Sequence, residues 1–375
     1  MFAINQNVVI DNAFVFQKNT DNNYFFINLK IPNLDVLLVG FKNWNTWNDV
    51  DVFSYIDNCT LDRLRNDPNF YIFIDMAEEG FDPVYQFKFW PSISSSIVKN
   101  NIPAKKIFYF SCNLQDENNS KHVAFNVHVE HMWWSWQNDL HDYFSVDKEF
   151  KRAVKNTIRL HDSKFYSSLN RAPRFYRTYL NASLYYSSAG AKGLFSQMPI
   201  PEDNFKYNRE DINWKMLEQF QTQLPLYIDY KVMNEPVHAY KHIFDETIFH
   251  IANETVISKK YDRHMITEKT FKAISTFTPM ILFASGSPNQ DITNYGFKTY
   301  QSYFDVKKFD THVPVDKINA IVKETKRVCK KLSQMSKTQR VDWKFQDEDL
   351  LKHNFAVFRA NTFNKTQRKK LLDCF

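Results

Sequence analysis

Glycine is scarce in this chain, with 6 in 375 residues. Loops that wrap a dinucleotide or a triphosphate in bare backbone need glycines at fixed spacing, and neither G-x-G-x-x-G nor G-x-x-x-x-G-K-[ST] occurs. Cysteine is scarce too: Cys59, Cys112, Cys329 and Cys374 stand far apart with no C-x-x-C pair. That argues against a disulfide framework or a zinc ribbon, and the four read as reduced thiols. No apolar run reaches the roughly 18 residues that a membrane-spanning helix needs. The opening Met1-Phe-Ala-Ile-Asn-Gln6 lacks the basic segment that precedes the apolar core of a secretory leader. H-E-x-x-H is absent, and His122, His128 and His131 beside Glu130 need not share a face, so they read as scattered histidines and not as metal ligands. The expectation is a soluble, cytoplasmic protein without a metal.

What the chain does have is apolar bulk, 43% of its residues, enough to bury a large core, and its length favours two domains. Its net charge of +6 is unevenly placed. Residues 1–160 carry 15 basic and 19 acidic side chains, whereas residues 161–375 carry 33 and 23. Such an asymmetry hints at a polyanionic partner for the second half. The segments 323–331 and 365–370 hold the densest basic clusters.

Runs rich in branched and aromatic residues predict strands at 8–10, 24–31 and 36–41. Residues 71–76 and 106–111 have the short apolar character of buried parallel strands, and 122–129 alternates as a further strand would. The segments 60–65 and 93–100 suit crossover helices, so the first half reads as a parallel sheet flanked by helices. A second unit of the same kind opens with a strand at 164–169, followed by a helix from Phe175 to Leu184 that Pro173 introduces. Further strands are expected at 226–229 and 247–251, then at 279–284. The last 60 residues read as helices; Asp316 caps a run whose apolar positions Ile318, Ile321, Val322, Val328, Leu332 and Met335 have helical spacing. The boundaries expected are 1–155, 156–310 and a basic helical segment 311–375.

The sharpest chemical signal lies between the last two of those strands. Thr267 can cap a helix whose first turn holds Glu268 and Lys269. Free backbone N–H groups at a helix start attract phosphate, and Lys269 adds a full positive charge. Glu268, acceptor-only when ionised, suits the paired hydroxyls of a ribose. A capped surface helix carrying an ordinary charge pair would look the same. Trp133, Trp134 and Trp136 could stack on a sugar or a base, or could equally be packing.

The stretch Phe249-His-Ile-Ala-Asn-Glu254 followed by Met265-Ile-Thr-Glu-Lys-Thr270 resembles the donor-binding motif of α1,3-fucosyltransferases. It resembles more closely a group of phage and large-virus glycosyltransferases, which share T-E-K-T-[FW]-K, a Pro-led apolar strand and a G-F-x-T-[FY] stretch, here Gly296-Phe-Lys-Thr-Tyr300. Ser168-Leu-Asn-Arg-Ala-Pro-Arg-Phe-Tyr-Arg177 is similar to the same group. The resemblance covers residues 160–305, less than half of the chain. It implies an α/β protein of GT-B architecture, with two facing Rossmann-like domains, parallel sheets and C-terminal helices. It implies a nucleotide-sugar donor held by the second domain: Glu268 on the ribose, Lys269 on the phosphates, Asn253 bonded to donor or Lys269, and Asn170, Arg171 and Thr267 in the same donor wall. Arg177, or else Arg171, would stabilise the leaving diphosphate. Where the family often has an aromatic residue, this chain has Met265, which leaves the nucleobase open.

An inverting transfer needs a general base, which the two-domain arrangement would draw from the first domain at the carboxyl end of a strand. Asp75, Glu78, Glu79 and Asp82 follow the strand at 71–76, and Glu78 and Glu79 are the candidates. No metal and no cofactor are expected. The favoured acceptor is a hydroxymethylated pyrimidine in double-stranded phage DNA, because viral relatives include DNA-base glycosyltransferases and the second half is basic; a glycan or lipid-linked saccharide is the alternative. A viral nucleic-acid-binding protein that has lost the chemistry is the rival from outside enzymology.

Overall fold

The structure, a computed structural model, describes residues 24–31, 34–41, 53, 56–76, 89–111, 116, 120–129, 145–170, 173–200, 212–226, 237–254, 266–311 and 313–374. Two compact units form, one from Met1–Ser135 with Phe363–Phe375 and one from Trp136–Thr362. Both are α/β.

In the first unit, β1 (Tyr24–Ile31), β2 (Leu34–Phe41), β3 (Phe70–Met76), β4 (Ile107–Ser111) and β5 (Asn126–Val129) lie side by side in chain order. β2 to β5 are parallel. β1 runs antiparallel to β2, a departure from the all-parallel reading. Only two residues separate β1 from β2, too few for the crossover that parallel neighbours require. The helices are α1 (Asn58–Asn66), whose first turn is capped by Asp57 on Thr60 N at 2.9 Å, and α2 (Phe89–Lys99). Ile72 and Ile74 of β3 and Tyr109 of β4 share one buried cluster with Trp90, Ile93 and Ile97 of α2. Phe73, Phe108 and Phe110 pack together as a separate set, with centroids 5.0–5.4 Å apart. The strand expected over 122–129 is shorter, because Ser120–His122 close a 3₁₀ turn. The strand expected at 8–10 lies outside the described residues.

The second unit has four parallel strands in the order β7-β6-β8-β9: β6 (Tyr166–Asn170), β7 (Gly193–Gln197), β8 (Phe249–Asn253) and β9 (Met280–Phe283). The chain leaves β6 for the edge at β7 and then returns across the sheet to β8. Its direction of progress therefore reverses between β6 and β8, the point at which open α/β sheets receive ligands at their carboxyl ends. Around the sheet lie α3 (Val146–Leu160), α4 (Phe175–Tyr185), α5 (Trp214–Gln221), α6 (Val237–Glu246), α7 (Glu268–Ser275), α8 (Pro288–Asn294), α9 (Pro314–Ser333), α10 (Lys337–Lys344) and α11 (Glu348–Ala360). The final helix, α12 (Thr362–Leu372), is counted with the first unit beyond its first residue.

Of the helices after 311, α9, α10 and α11 are built into the second unit. α11 packs on α7 through stacked rings, Phe277 on Phe355 at 4.4 Å and Phe271 on Phe358 at 6.2 Å. Lys344, fully buried at the end of α10, donates to Phe244 O, Thr247 O and Thr157 Oγ1 at 2.6, 2.9 and 3.1 Å, so its ammonium serves the carbonyls that α6 leaves at its end. α9 begins at Pro314, one turn position that tolerates proline, so Asp316 lies inside the first turn and does not cap it. β7 was not foreseen. The strand expected at 226–229 is only a bridge from Leu226 to Gln197 within the described residues.

His250 of β8 gives this unit a pH dependence. It is buried, with Nδ1 2.9 Å from Ser167 Oγ and its ring edge-on to Phe244, and burial pushes its imidazole down to about 3. Between pH 6.5 and 3 the unfolded chain therefore binds a proton that the folded chain refuses. Stability is lost as pH falls through that window. Denaturant titrations at pH 7 and pH 5 should show a smaller loss in His250→Gln than in the wild type.

Candidate functional site

β6 ends at Asn170 and β8 at Asn253, on either side of the reversal point. Their pairing, Tyr166 opposite Phe249 and Ser167 opposite His250, brings the two asparagines level when continued. Both are buried in a polar network that joins the strand ends to α4. Asn253 Nδ2 donates to Ser168 Oγ at 2.8 Å, and Ser168 Oγ donates to Asn181 Oδ1 at 2.6 Å. Asn170 Nδ2 donates to Gln197 Oε1 at 2.6 Å, and Gln197 Nε2 donates to Thr178 Oγ1 at 3.1 Å. Among the described residues, each asparagine keeps a buried Oδ1 with no partner. The amide of Asn253 is thus committed to Ser168; of the two partners expected for it, the donor or Lys269, the bond to Lys269 is not among those made by the described residues.

Glu254, one residue past β8, is completely buried and was not singled out as a functional residue. Its carboxylate accepts the backbone N–H of Thr267 at 3.0 Å, the Thr267 hydroxyl, and the Thr270 hydroxyl at 2.6 Å. These bonds pin the start of α7 to the end of β8. Thr267 occupies the N-cap position as expected, but its side chain accepts no backbone N–H of the helix; its hydroxyl donates to Glu254 and its oxygen accepts from Lys269 Nζ at 3.1 Å. The sequence signal for Glu254 is a glutamate preceding two threonines by 13 and 16 residues, a separation that no local helix rule detects.

Glu268 and Lys269 open α7 as the sequence reading placed them. Lys269 Nζ donates to Glu268 Oε1 at 2.8 Å and to Thr267 Oγ1 at 3.1 Å. Their side chains retain 16% and 19% exposure, which makes them the accessible lip of an otherwise buried group. Burial alone would raise the Glu268 carboxyl, but Lys269 and Lys272 outweigh it and hold it at about 2. It is therefore an ionised acceptor at neutral pH.

Arg177 sits in the first turn of α4, which likewise has no side-chain cap. It is 3% exposed, and among the described residues its guanidinium has neither a hydrogen bond nor an ion pair, with Nε entirely buried. Burial, and then Arg174, push it down to about 10, while Glu268 and Glu254 act in the opposite direction. It remains charged at neutral pH. An unpaired cation removed from water costs several kcal/mol (order of magnitude). Glu268 and Glu254 offset part of that cost through space, and the guanidinium donors they leave unbonded can take an anionic ligand.

Arg177, Glu254, Glu268 and Lys269 thus gather at one end of one sheet, together with Asn170, Asn253 and Thr267. Arg171, Glu78, Glu79 and Asp82 lie outside the described residues, as do Trp133, Trp134, Trp136, Glu130 and His131. Asp75 belongs to β3 of the first unit. His128 is buried in β5 with its ring edge-on to Phe110 at 5.0 Å, a core position. The assembled group can take an anion on Arg177, Lys269 and the uncapped N–H groups of α7, and hydroxyl donors on Glu268. No family model, curated protein or solved structure matches the chain.

Proposed function

We propose that the second unit binds a nucleoside-diphosphate sugar at the carboxyl ends of β6 and β8, and that the protein is a glycosyltransferase of the GT-B type. The observation that carries this reading is Arg177, a charged guanidinium buried without a hydrogen bond or ion pair among the described residues, near the uncapped start of α7. The diphosphate would meet Arg177, Lys269 and the helix N-terminus, with Arg171 as a second cation from the same segment. Glu268 would accept from the ribose hydroxyls, and Asn170 and Asn253 would offer their buried carbonyl oxygens to donors on the ligand. The motif resemblance over residues 160–305 supports the same assignment.

In the transfer, the acceptor oxygen bonds to the anomeric carbon as the bond from that carbon to the diphosphate breaks. The electron pair leaves with the diphosphate, where Arg177 and Lys269 neutralise it, so the proposal needs no metal. The hydroxyl proton must pass to a carboxylate base, for which the sequence offers Glu78 or Glu79, with inversion at the anomeric carbon. The proposed acceptor is a hydroxymethylated pyrimidine in DNA. Incubation of hydroxymethylcytosine DNA with UDP- and GDP-sugars, read by mass, is expected to show a hexose-sized gain with one donor and none with Glu268→Ala. An unchanged mass with every donor overturns the acceptor, and free sugar release without transfer keeps the donor reading alone.

A further inference from the structure

A basic face occupies the opposite end of the same unit. α9 runs against the strands: near its start, buried Lys317 donates to Ala284 O and Gly286 O, just beyond the carboxyl end of β9. Farther along, α9 comes beside the segment holding Tyr303 and Phe304, and Phe304 and Trp343 pack on Phe249, the first residue of β8, at 5.5 and 6.4 Å. The later half of α9 therefore lies toward the amino end of the sheet, a strand length of roughly 15 Å from the site of Arg177.

Lys323, Lys326, Arg327, Lys330 and Lys331 follow one another on that half at intervals that keep them on a single side of the helix, and all are exposed. They span about 12 Å. Arg327 and Lys331 also line an open cavity of about 510 Å³, to which Lys307 adds a further charge. The neighbouring carboxylates are already engaged: Glu324 accepts from Arg327 at 2.6 and 2.8 Å, and Asp305 from Lys308 at 2.5 Å. Lys307, Lys323, Lys326, Lys330 and Lys331 make no ion pair among the described residues, which leaves five uncompensated charges. The aromatic rings at the cavity, Tyr303, Phe304 and Trp343, are buried and offer no face for a base to stack on. Large exposed apolar side chains, which a lipid surface would need for insertion, are missing from this half of α9.

We propose that this face docks the phosphate backbone of duplex nucleic acid, read by charge and not by base sequence. Being at the far end of the sheet, it grips the backbone away from Arg177, so that any base reaching the donor site comes from another stretch of the same polymer, and it stands whether or not the donor reading does. In polarisation titrations of the full chain with a labelled duplex of mixed sequence, from about 50 to about 200 mM salt, wild-type affinity is expected to fall steeply as salt rises. The variant Lys323→Gln/Lys330→Gln/Lys331→Gln should bind at least about 10-fold more weakly and lose about three units of the log–log salt slope, roughly one per lysine. Its melting temperature and its response to nucleotide sugars should match the wild type, because these exposed side chains make no hydrogen bond or ion pair among the described residues. No duplex binding by the wild type, equal binding by the variant, or a preference for vesicles of anionic lipid would overturn the proposal. A negative donor titration with a positive duplex titration would sink only the glycosyltransferase reading.

Discussion

Methionine in place of Arg177 is expected to make the protein more stable while disabling its donor site. The wild-type guanidinium is charged, 3% exposed and, among the described residues, without a hydrogen-bonding partner. Replacing buried ionic groups by apolar side chains of similar volume often gains about 1–4 kcal/mol; here no hydrogen bond among the described residues is broken, but Glu254 and Glu268 lose a nearby cation, so the gain should lie at the lower end of that range. The same change removes the cation that would face the diphosphate, and losing one member of a buried charge pair weakens binding by roughly 2–5 kcal/mol, or about 30-fold and more in Kd. Calorimetric melting and nucleotide titration on the same preparation test both halves. A melting temperature that falls in Arg177→Met would mark the arginine as a structural group.

The second large effect belongs to Glu254. Alanine there strips the Thr267 N–H and the Thr267 and Thr270 hydroxyls of their acceptor and leaves Arg177 without one of the two carboxylates that favour its charge. Buried groups left unsatisfied cost about 1–3 kcal/mol each, and some relaxation is expected, so the loss should be about 3–5 kcal/mol in denaturant unfolding. Glu254→Gln keeps the shape and one acceptor oxygen and should lose less than half as much. Donor affinity should fall in both variants, since the start of α7 is no longer pinned. An alanine variant as stable as the wild type would mean that the clamp holds nothing.

The contrast between these two residues shows what the sequence could reveal. Glu268 and Lys269 were legible because a buried strand, a charged pair and a helical run follow each other within a few residues, and local chemistry sets a helix start. Arg177 was legible only as a basic residue one turn into a helix; that it is buried and unpaired depends on how α4 packs on the sheet. Glu254 could not be read, because its partners lie 13 and 16 residues on, across a connection. The same distance effect misplaced the role of Thr267, whose hydroxyl donates to a buried carboxylate and whose oxygen accepts from Lys269 and from no backbone N–H of its helix. β7 went unseen because Gly193-Leu-Phe-Ser-Gln197 is short and carries no alternation, yet β7 is what creates the reversal in strand order beside Asn170. The basic stripe of α9 was plain in the sequence. Its placement at the amino end of the sheet was not, and that placement separates the polymer-binding face from the donor site.

The most direct test of the central claim is isothermal titration of UDP and GDP into the wild type and Arg177→Met. Binding of one nucleoside diphosphate by the wild type, weakened at least about 30-fold in a variant that melts higher, is the expected result. Binding of neither nucleotide to the wild type, or equal binding by both proteins, would contradict it.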